Sequence, residues 1–302
     1  MIEFIDLHKD QYGVEPICKV IPIASSTYYE HKQKESHPDL RSNRAKSDEM
    51  LKEEIFRVWK ENYCVYGVRK VWRQLLREGF MVARCTVERL MRILGIQGAR
   101  RGKPFKQIIF EDLADRPMDL VQREFVAERP NQLWVADITY IRTWTGWVFT
   151  AFVIDVFSSK IVGWKTSNSI KTGLALDALE QALHQREVND ELIHHSDRGV
   201  QYLSIKYTER LAEAGLSASV GTKGDSYDNA LAESINGLYK TEVIHKDGPW
   251  RNMEHVEFAT LNWVDFFNKR RLMERLDYIP PDEFENLYFN QIEQQEKDAV
   301  LT

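Results

Sequence analysis

The hydrophobic pattern of this chain changes its period partway along, and this change most limits the available folds. Residues 47–95 repeat apolar side chains every three to four positions, which predicts amphipathic helices. Later, strands are predicted at 132–142, 147–156, 159–166, 191–195 and 216–220, and helices at 171–187, 204–214, 228–245 and 252–271. The pattern therefore predicts a mixed α/β (α+β) core that follows a helical region.

Charge is distributed unevenly along the 302 residues, although the net charge is only −5. Residues 38–110 contain 17 Lys and Arg against 8 Asp and Glu, a net charge of +9, whereas residues 111–302 contain 20 against 32. A local basic module of short helices predicts a helix-turn-helix-like region that binds DNA phosphates. The alternative is a helical bundle that only supports the next domain. The candidate DNA contacts in this module are Arg84, Arg89, Arg92, Arg100, Arg101 and Lys103.

The three cysteines and the absence of long apolar runs predict a cytoplasmic protein. Cys18, Cys64 and Cys85 are odd in number and form no C-x-x-C pair, which is typical of reduced proteins. No run of about 18 apolar residues predicts a membrane span. The first residues also lack the basic start and apolar centre of a signal peptide.

Three acidic residues occupy positions that favour catalysis. Asp137 interrupts a β-rich run that would otherwise face a core, Asp197 directly follows a predicted strand, and Glu233 lies little more than one turn into a predicted helix. Phosphodiester chemistry can use two hard cations roughly 3.5–4 Å apart, held by carboxylates from different elements. Alone, each acid could equally be a turn, cap or surface residue. Together they predict a divalent-metal site.

The motifs around these acids carry a resemblance to a known family. They are Trp134-x-x-Asp137-Ile-Thr-Tyr140, His195-Ser-Asp197-x-Gly199-x-Gln201-Tyr202 and Asp228-Asn229-Ala230-x-x-Glu233-Ser234, with 35 residues between the second and third acids. The sequence resembles the OrfB-type transposases of the IS3 family of bacterial insertion sequences. The resemblance covers residues 48–286. One departure is Met273-Glu274, where the family usually has a His-Ser pair.

This resemblance implies an RNase-H-like, retroviral-integrase-like core and a DDE transposase with Asp137, Asp197 and Glu233 as catalytic and metal-binding residues. The implied cofactor is Mg²⁺, with Mn²⁺ able to substitute. The implied reaction cuts the element ends and joins the freed 3′-OH to DNA. The predicted regions are a leader at 1–37, the helical domain at 38–108, a linker at 109–127, the catalytic core at 128–288 and a tail at 289–302.

Further roles follow from the resemblance and from position. Additional DNA contacts are expected at Asn229, Lys240, Arg270 and Arg271. The expected partners are double-stranded DNA with terminal inverted repeats, target DNA, an upstream-frame OrfA product or an OrfA–OrfB fusion, and further copies of this chain.

Several nearby residues have expected structural roles. Asp155 is expected in a turn or structural role. His194 and His195 should point to opposite faces of a strand, and His195 is a further candidate for lining the site. Trp134 and Trp147 are expected in the core rather than as base-stacking surfaces.

Three other functions fit parts of the sequence. A tyrosine recombinase could use His195 and Arg198 with a downstream Tyr227 or Tyr239, but it would leave the acids unused. A DNA-binding regulator would need only the basic module. An RNase-H-type nuclease would cut without joining.

Overall fold

The N-terminal segment folds into three helices that contact one another. The computed structural model describes residues 1–100, 127–188, 191–196, 202, 204–220 and 230–300. The three helices are α1 (Ile2–Tyr12), α2 (Val14–Val20) and α3 (Ser25–Ser36). Ile5, Ile17 and Tyr28 form their small core, and the Tyr28 hydroxyl donates to Asp6 Oδ1 at 2.8 Å. The leader predicted at 1–37 therefore contains a helical unit.

The next three helices are those that the apolar periodicity predicts. They are α4 (Asn43–Glu61), α5 (Val68–Arg77) and α6 (Arg84–Ile93). The Ser42 side chain accepts a hydrogen bond from the Ala45 N–H and so caps α4. Their apolar stripes meet in a common core of Leu51, Ile55, Val58, Val71, Leu75, Val87, Leu90 and Met91.

A five-stranded mixed sheet lies in the second half of the chain. Its strands are β1 (Leu133–Thr143), β2 (Gly146–Asp155), β3 (Ile161–Ser167), β4 (Ile193–Ser196) and β5 (Ser217–Val220). The order is β3-β2-β1-β4-β5, with β1 to β3 antiparallel and β4 and β5 parallel to β1. Parallel pairing needs crossover connections, and these contain α7 (Thr172–Gln185) and α8 (Ile205–Glu213). The predicted RNase-H-like core behind a helical region is confirmed.

Helices cover both faces of the sheet, and one contact is exceptionally close. On one face, α7 and α8 pack against alternate side chains of β1, including Trp134 and Ala136. A Cβ added at Gly163 of β3 would lie 2.1 Å from the carbonyl oxygen of Ala178 in α7. Glycine at position 163 is therefore what allows this helix to approach the strand.

The other face of the sheet packs against the C-terminal helices. Here α9 (Ala230–Tyr239), a π-helical segment (Lys240–Ile244) and α10 (His245–Asp247) run consecutively where the sequence predicts one helix. They are followed by α11 (Met253–Lys269) and α12 (Pro281–Val300), which continues into the segment predicted as a tail. Phe152, Tyr239, Trp263 and Phe267 form an aromatic cluster under these helices. Among the described helices, none combines the length and the hydrophobicity of a membrane span.

The helical region is joined to the C-terminal part of the core. The Tyr66 hydroxyl donates to the Arg270 carbonyl oxygen at 3.0 Å and accepts from the Leu272 N–H at 2.8 Å. Two arginines of α5 form ion pairs across the same boundary, Arg69 with Glu274 and Arg77 with Glu283. The two regions thus share polar contacts as well as a continuous hydrophobic core. The linker predicted at 109–127 lies, except for Ala127, outside the described residues.

Candidate active site

Asp137 lies on the central strand of the sheet, half-buried on the face that α9 covers. Its backbone is fixed by the pairing of β1 with β2, where Asp137 stands opposite Phe152. Its carboxylate accepts the Ile138 N–H on Oδ1 at 2.8 Å and the Asn236 Nδ2 amide on Oδ2 at 2.7 Å. The side chain is therefore held in a defined orientation at a partly solvent-accessible position.

Glu233 lies in the first turn of α9, and its side chain is exposed. Asn236, which contacts Asp137, follows three residues later in the same helix. Residues three apart on a helix are surface neighbours, with Cβ atoms about 5–6 Å apart. The two acids are therefore brought to the same region by the packing of α9 on β1.

The third predicted acid, Asp197, lies outside the described residues, as do Asn229, Arg101 and Lys103. The strand before it is described. In the parallel pairing of β1 and β4, Ser196 stands beside Ala136, so the residues that precede the two aspartates in sequence are direct neighbours.

The donor chemistry of the described acids fits a hard divalent cation. Asp137 and Glu233 offer carboxylate oxygens, which Mg²⁺ prefers over nitrogen or sulfur, and both retain contact with solvent. Within the described ranges no group of three His, Cys, Asp or Glu residues is arranged to hold a metal. Asp197, the third predicted ligand, lies outside these ranges.

Asn236 is a functional candidate that the sequence reasoning missed. Its side chain is 7% exposed, and it reaches Asp137 across 99 positions of sequence. Because an ionised carboxylate only accepts hydrogen bonds, the amide nitrogen must face Asp137. The amide oxygen has no hydrogen-bond partner among the described residues. The only available signal was its position one turn after Glu233.

Arg271 corrects one predicted DNA contact. It is buried, at 5% exposure, and its guanidinium contacts both carboxylate oxygens of Glu242, with Nε 3.1 Å from Oε1 and 3.0 Å from Oε2. Burial raises the pKa of Glu242, but attraction to Arg271 and its hydrogen bonds outweigh this and hold that pKa below its ordinary value. Arg271 therefore stabilises the interior and has no surface to offer DNA.

The other predicted DNA contacts lie in varied environments. Arg84, Arg92 and Arg100 are exposed. Arg89 forms an ion pair with Asp48, at 2.7 Å between Nη2 and Oδ1. Lys240 is half-buried at the start of the π-helical segment, and exposed Arg270 donates from Nη2 to the Glu61 carbonyl oxygen at 2.7 Å. These positions leave the exposed arginines as DNA-contact predictions.

The two adjacent histidines point to opposite sides of the sheet, as expected. His194 Nε2 lies 3.1 Å from the Tyr207 hydroxyl, and His195 Nδ1 lies 3.0 Å from Ser219 Oγ. Burial lowers the pKa of His194 to about 4, so this imidazole is neutral at pH 7. Both imidazole rings are buried and packed within the protein interior.

One tyrosine of the recombinase alternative is poorly placed to act as a nucleophile. Tyr239 is fully buried, and its hydroxyl lies 2.6 Å from Thr260 Oγ1. Burial raises the pKa of Tyr239 to about 12, which disfavours the phenolate. The other candidates, Arg198 and Tyr227, lie outside the described residues.

Of the remaining expectations, those for Asp155 and Trp134 agree with the structure and that for Trp147 does not. Asp155 is structural, as predicted: it is buried and accepts the Asn131 N–H at 2.7 Å and the Ser158 N–H at 3.1 Å. Trp134 is fully buried, as predicted. The expectation for Trp147 is wrong, because 53% of this residue is exposed near the tip of the β1–β2 hairpin.

Comparisons with known proteins agree along most of the chain. An HTH-like domain model matches residues 46–104, and two integrase core domain models match residues 127–226 and 214–281. The transposase for insertion sequence element IS629 of Shigella sonnei is 57% identical over 97% of this chain and 98% of its own length. Transposase InsF for insertion sequence IS3A of Escherichia coli strain K12 is 30% identical over 94% and 97%, respectively.

One solved structure shows a weaker similarity. The HTLV-2 integrase catalytic core domain in complex with magnesium aligns with 53% of this chain and 99% of its own, at 17% identity and a TM-score of 0.43.

Proposed function

Because the chain belongs to the IS3 family of insertion-sequence transposases, of the OrfB type, we propose that it cuts element ends and joins them to DNA by Mg²⁺-dependent transesterification. As a DNA transposase with an integrase core, it acts in DNA transposition. The proposed catalytic residues are Asp137, Asp197 and Glu233.

The observation that carries this proposal is the hydrogen bond from Asn236 to Asp137. It ties the helix of Glu233 to the strand of Asp137, at 2.7 Å between Nδ2 and Oδ2. The register of β4 supports the third residue, since Asp197 is bonded to Ser196, and Ser196 is the neighbour of Ala136. The proposal is thus supported by two elements that contact β1 beside Asp137: α9, which carries Glu233, and β4, which directly precedes Asp197.

Asp137, Asp197 and Glu233 would hold Mg²⁺, for which Mn²⁺ can substitute. Bound there, the cations would polarise the scissile phosphate and stabilise the charge on the attacking and leaving oxygens. Asn236 keeps the Asp137 carboxylate oriented, so that little reorganisation is needed during the reaction.

The proposed reaction has two steps and needs no covalent enzyme–DNA intermediate. In the first step water attacks the phosphodiester at an element end, and the P–O bond to the 3′ oxygen breaks to leave a 3′-OH. In the second step that 3′-OH attacks another phosphodiester, forming one P–O bond as another breaks. The protein's contribution is to position the DNA and stabilise charge.

The partners follow from this reaction. DNA is a partner implied by the HTH-like and integrase domains. We propose that exposed Arg84, Arg92 and Arg100, together with Lys240, contribute to contacts with terminal inverted repeats and target DNA. We also propose that an OrfA product or OrfA–OrfB fusion and further copies of this chain complete the assembly, in the bacterial cytoplasm and on the nucleoid.

The test is a strand-joining assay with purified full-length protein, Mg²⁺ and duplexes of the terminal sequences that flank the gene. Asp137→Asn, Asp197→Asn and Glu233→Gln should each abolish joining while leaving DNA binding and the thermal unfolding profile close to wild type. Glu254→Gln is the matched control, because Glu254 is also an exposed glutamate in the first turn of a helix. Substantial joining by any of the three variants would contradict the proposal.

The same assay separates the alternatives. A nuclease would cut without joining, a regulator would bind without cutting, and a tyrosine recombinase would leave a covalent tyrosyl–DNA adduct without needing metal. The burial of Tyr239 argues against that residue as the nucleophile.

A further inference from the structure

The β1–β2 hairpin carries an exposed aromatic surface. Tyr140 and Trp147 are each 53% exposed, and Trp144 at the turn is 70% exposed. The Arg142 guanidinium lies over the Trp147 ring, 5.3 Å from its centroid, and Tyr140 packs edge-on against Phe149 at 5.3 Å. These rings are therefore largely exposed to solvent while keeping contacts with their neighbours on the hairpin.

Strand pairing places these side chains on one face. Tyr140 stands opposite Phe149, and Arg142 stands opposite Trp147. By alternation they share the side of β1 that carries Trp134 and Ala136, the side facing α7. We call Tyr140, Arg142, Trp147, Phe149 and Lys165 the hairpin face; Lys165 enters it through its pairing with Ala151 on β2.

The hairpin face is cationic within an acidic region. Residues 111–302 have a net charge of −12, from 20 Lys and Arg against 32 Asp and Glu. Among the paired strand positions on this side of the sheet, however, two are cations and none is an acid. These positions are Ile138, Tyr140, Arg142, Trp147, Phe149, Ala151, Lys165 and Ser167. Such a local reversal of charge favours an anionic partner.

This face is also close to the candidate active site along the same strand. Tyr140 follows Asp137 by three residues, about 10 Å of extended chain. Past Ala136, β1 pairs with β2, and Thr143 also forms an isolated bridge with Trp250, while the described pairing with β4 extends only to Ser196. Asp137 points to the side of the sheet that α9 covers, whereas the hairpin face lies on the side of α7, so a DNA strand would pass the edge of β1 to reach it.

We propose that the hairpin face binds unpaired nucleobases of the DNA strand that leaves the active site, by stacking them on Tyr140 and Trp147. This inference rests on the proposed function and adds a specific DNA surface to it. Paired bases hide their faces in the duplex stack, whereas unpaired bases expose them to aromatic rings. Arg142 and Lys165 supply the charge that attracts the backbone phosphates.

A second copy of the chain is the competing occupant. In an interface between two copies, Arg142 and Lys165 of one copy would lie close to acidic or cationic surfaces of the second copy. Aromatic residues are also common at protein interfaces. DNA is favoured because the face combines rings, a stacked guanidinium and a positive charge, which is the chemistry of single-strand binding surfaces.

The experiment compares two DNA probes with the full-length protein in EDTA, so that binding is measured without cleavage. One probe is a fluorescent duplex of the terminal sequence with an unpaired tail of about six nucleotides, and the other is the blunt duplex. The double variant Tyr140→Leu/Trp147→Leu keeps apolar bulk and removes both rings. Phe258→Leu is the matched control, because Phe258 is 68% exposed on α11, away from this face.

The expected result is a loss of affinity by the double variant of about 5- to 150-fold for the tailed probe, the range for loss of one stacked base. Its affinity for the blunt probe and its melting temperature should stay close to those of wild type and Phe258→Leu. Photo-activated 5-iodouracil in the tail should cross-link to wild type at Trp147 and fail to do so in the variant.

Two results would overturn the inference. One is an unchanged affinity of the double variant for the tailed probe. The other is a change of mass by light scattering without DNA, with DNA affinity preserved, which would identify an interface between copies. Neither result depends on catalysis, so failure here is separate from joining activity by Asp137→Asn, which would contradict the proposed function instead.

Discussion

Replacing Arg271 with Met should destabilise the fold by about 3–5 kcal/mol, because it leaves the Glu242 carboxylate buried without its cation. Glu242 is 6% exposed and Arg271 is 5% exposed. The pair makes three close contacts, with Nε 3.1 and 3.0 Å and Nη2 2.5 Å from carboxylate oxygens. The Trp263 Nε1–H also donates to Oε2 at 3.1 Å, but a neutral donor cannot replace the lost charge.

The loss of stability should depend on pH. In the wild type the pKa of Glu242 is held below its ordinary value, so its contribution is present above the unfolded pKa, about 4.3, and is lost as pH falls through the folded pKa. In Arg271→Met, burial still raises the pKa of Glu242, and only the weaker influences of Lys70 and the Trp263 hydrogen bond remain to oppose it. That variant gains stability when the carboxyl is protonated, so its deficit should be larger at pH 7 than at about pH 5.

Urea unfolding followed by circular dichroism measures these differences. The double variant Glu242→Gln/Arg271→Met removes both charges and keeps an acceptor for Trp263, so it should be more stable than Arg271→Met alone. Arg92→Met is the matched control, because it breaks an exposed pair with Glu88 and should cost no more than about 0.5 kcal/mol. A loss below about 1 kcal/mol in Arg271→Met, independent of pH, would refute the reasoning.

Three further outcomes are expected. Asn236→Ala should slow strand joining by about 10- to 150-fold, because it removes the hydrogen bond to the charged Asp137 carboxylate. DNA affinity in a filter-binding assay should be unchanged. An unchanged joining rate would contradict a positioning role for Asn236. Gly163→Ala should cost at least about 1–3 kcal/mol in urea unfolding, whereas Gly173→Ala, which meets no atom within 4 Å, should be neutral or stabilising; equal effects would refute the close-packing argument. Since burial lowers the pKa of His194 to about 4, stability should fall as pH drops from about 6.5 to 4, and His194→Gln should flatten that part of the pH profile; an identical profile would count against it.

The sheet was predictable because its strands carry a strong local pattern. β1 and β2 lie within one residue of the predicted ranges at both ends, since alternating apolar side chains specify strands that are covered by helices. Asp137 could be singled out as a candidate site residue because a carboxylate rarely interrupts such an apolar run. The sheet order was not predicted, since strand periodicity does not reveal which strands are neighbours.

What sequence reasoning missed depends on contacts between distant residues. Nothing near Arg271 in sequence reveals that it forms a buried ion pair with Glu242, 29 residues earlier. Asn236 looks like an ordinary helix residue until its contact with Asp137 is seen. Trp147 was expected in the core on hydrophobicity alone, but the hairpin extends past the residues that β4 pairs with, so its ring stays in solvent.

The two hydrogen bonds of the Tyr66 hydroxyl affect the distance along DNA between the bound sequence and the cut site. A single phenolic oxygen fastens the end of α11 to the helical region by donating to one backbone group and accepting from another. Together with the ion pairs of Arg69 and Arg77, these hydrogen bonds hold the helical region of α4 to α6 against the C-terminal part of the core. DNA bound by these helices would therefore reach Asp137 at a fixed number of base pairs from the bound sequence. Changing the number of base pairs between the gripped sequence and the scissile bond should then be tolerated poorly, even when every base in the gripped sequence is kept.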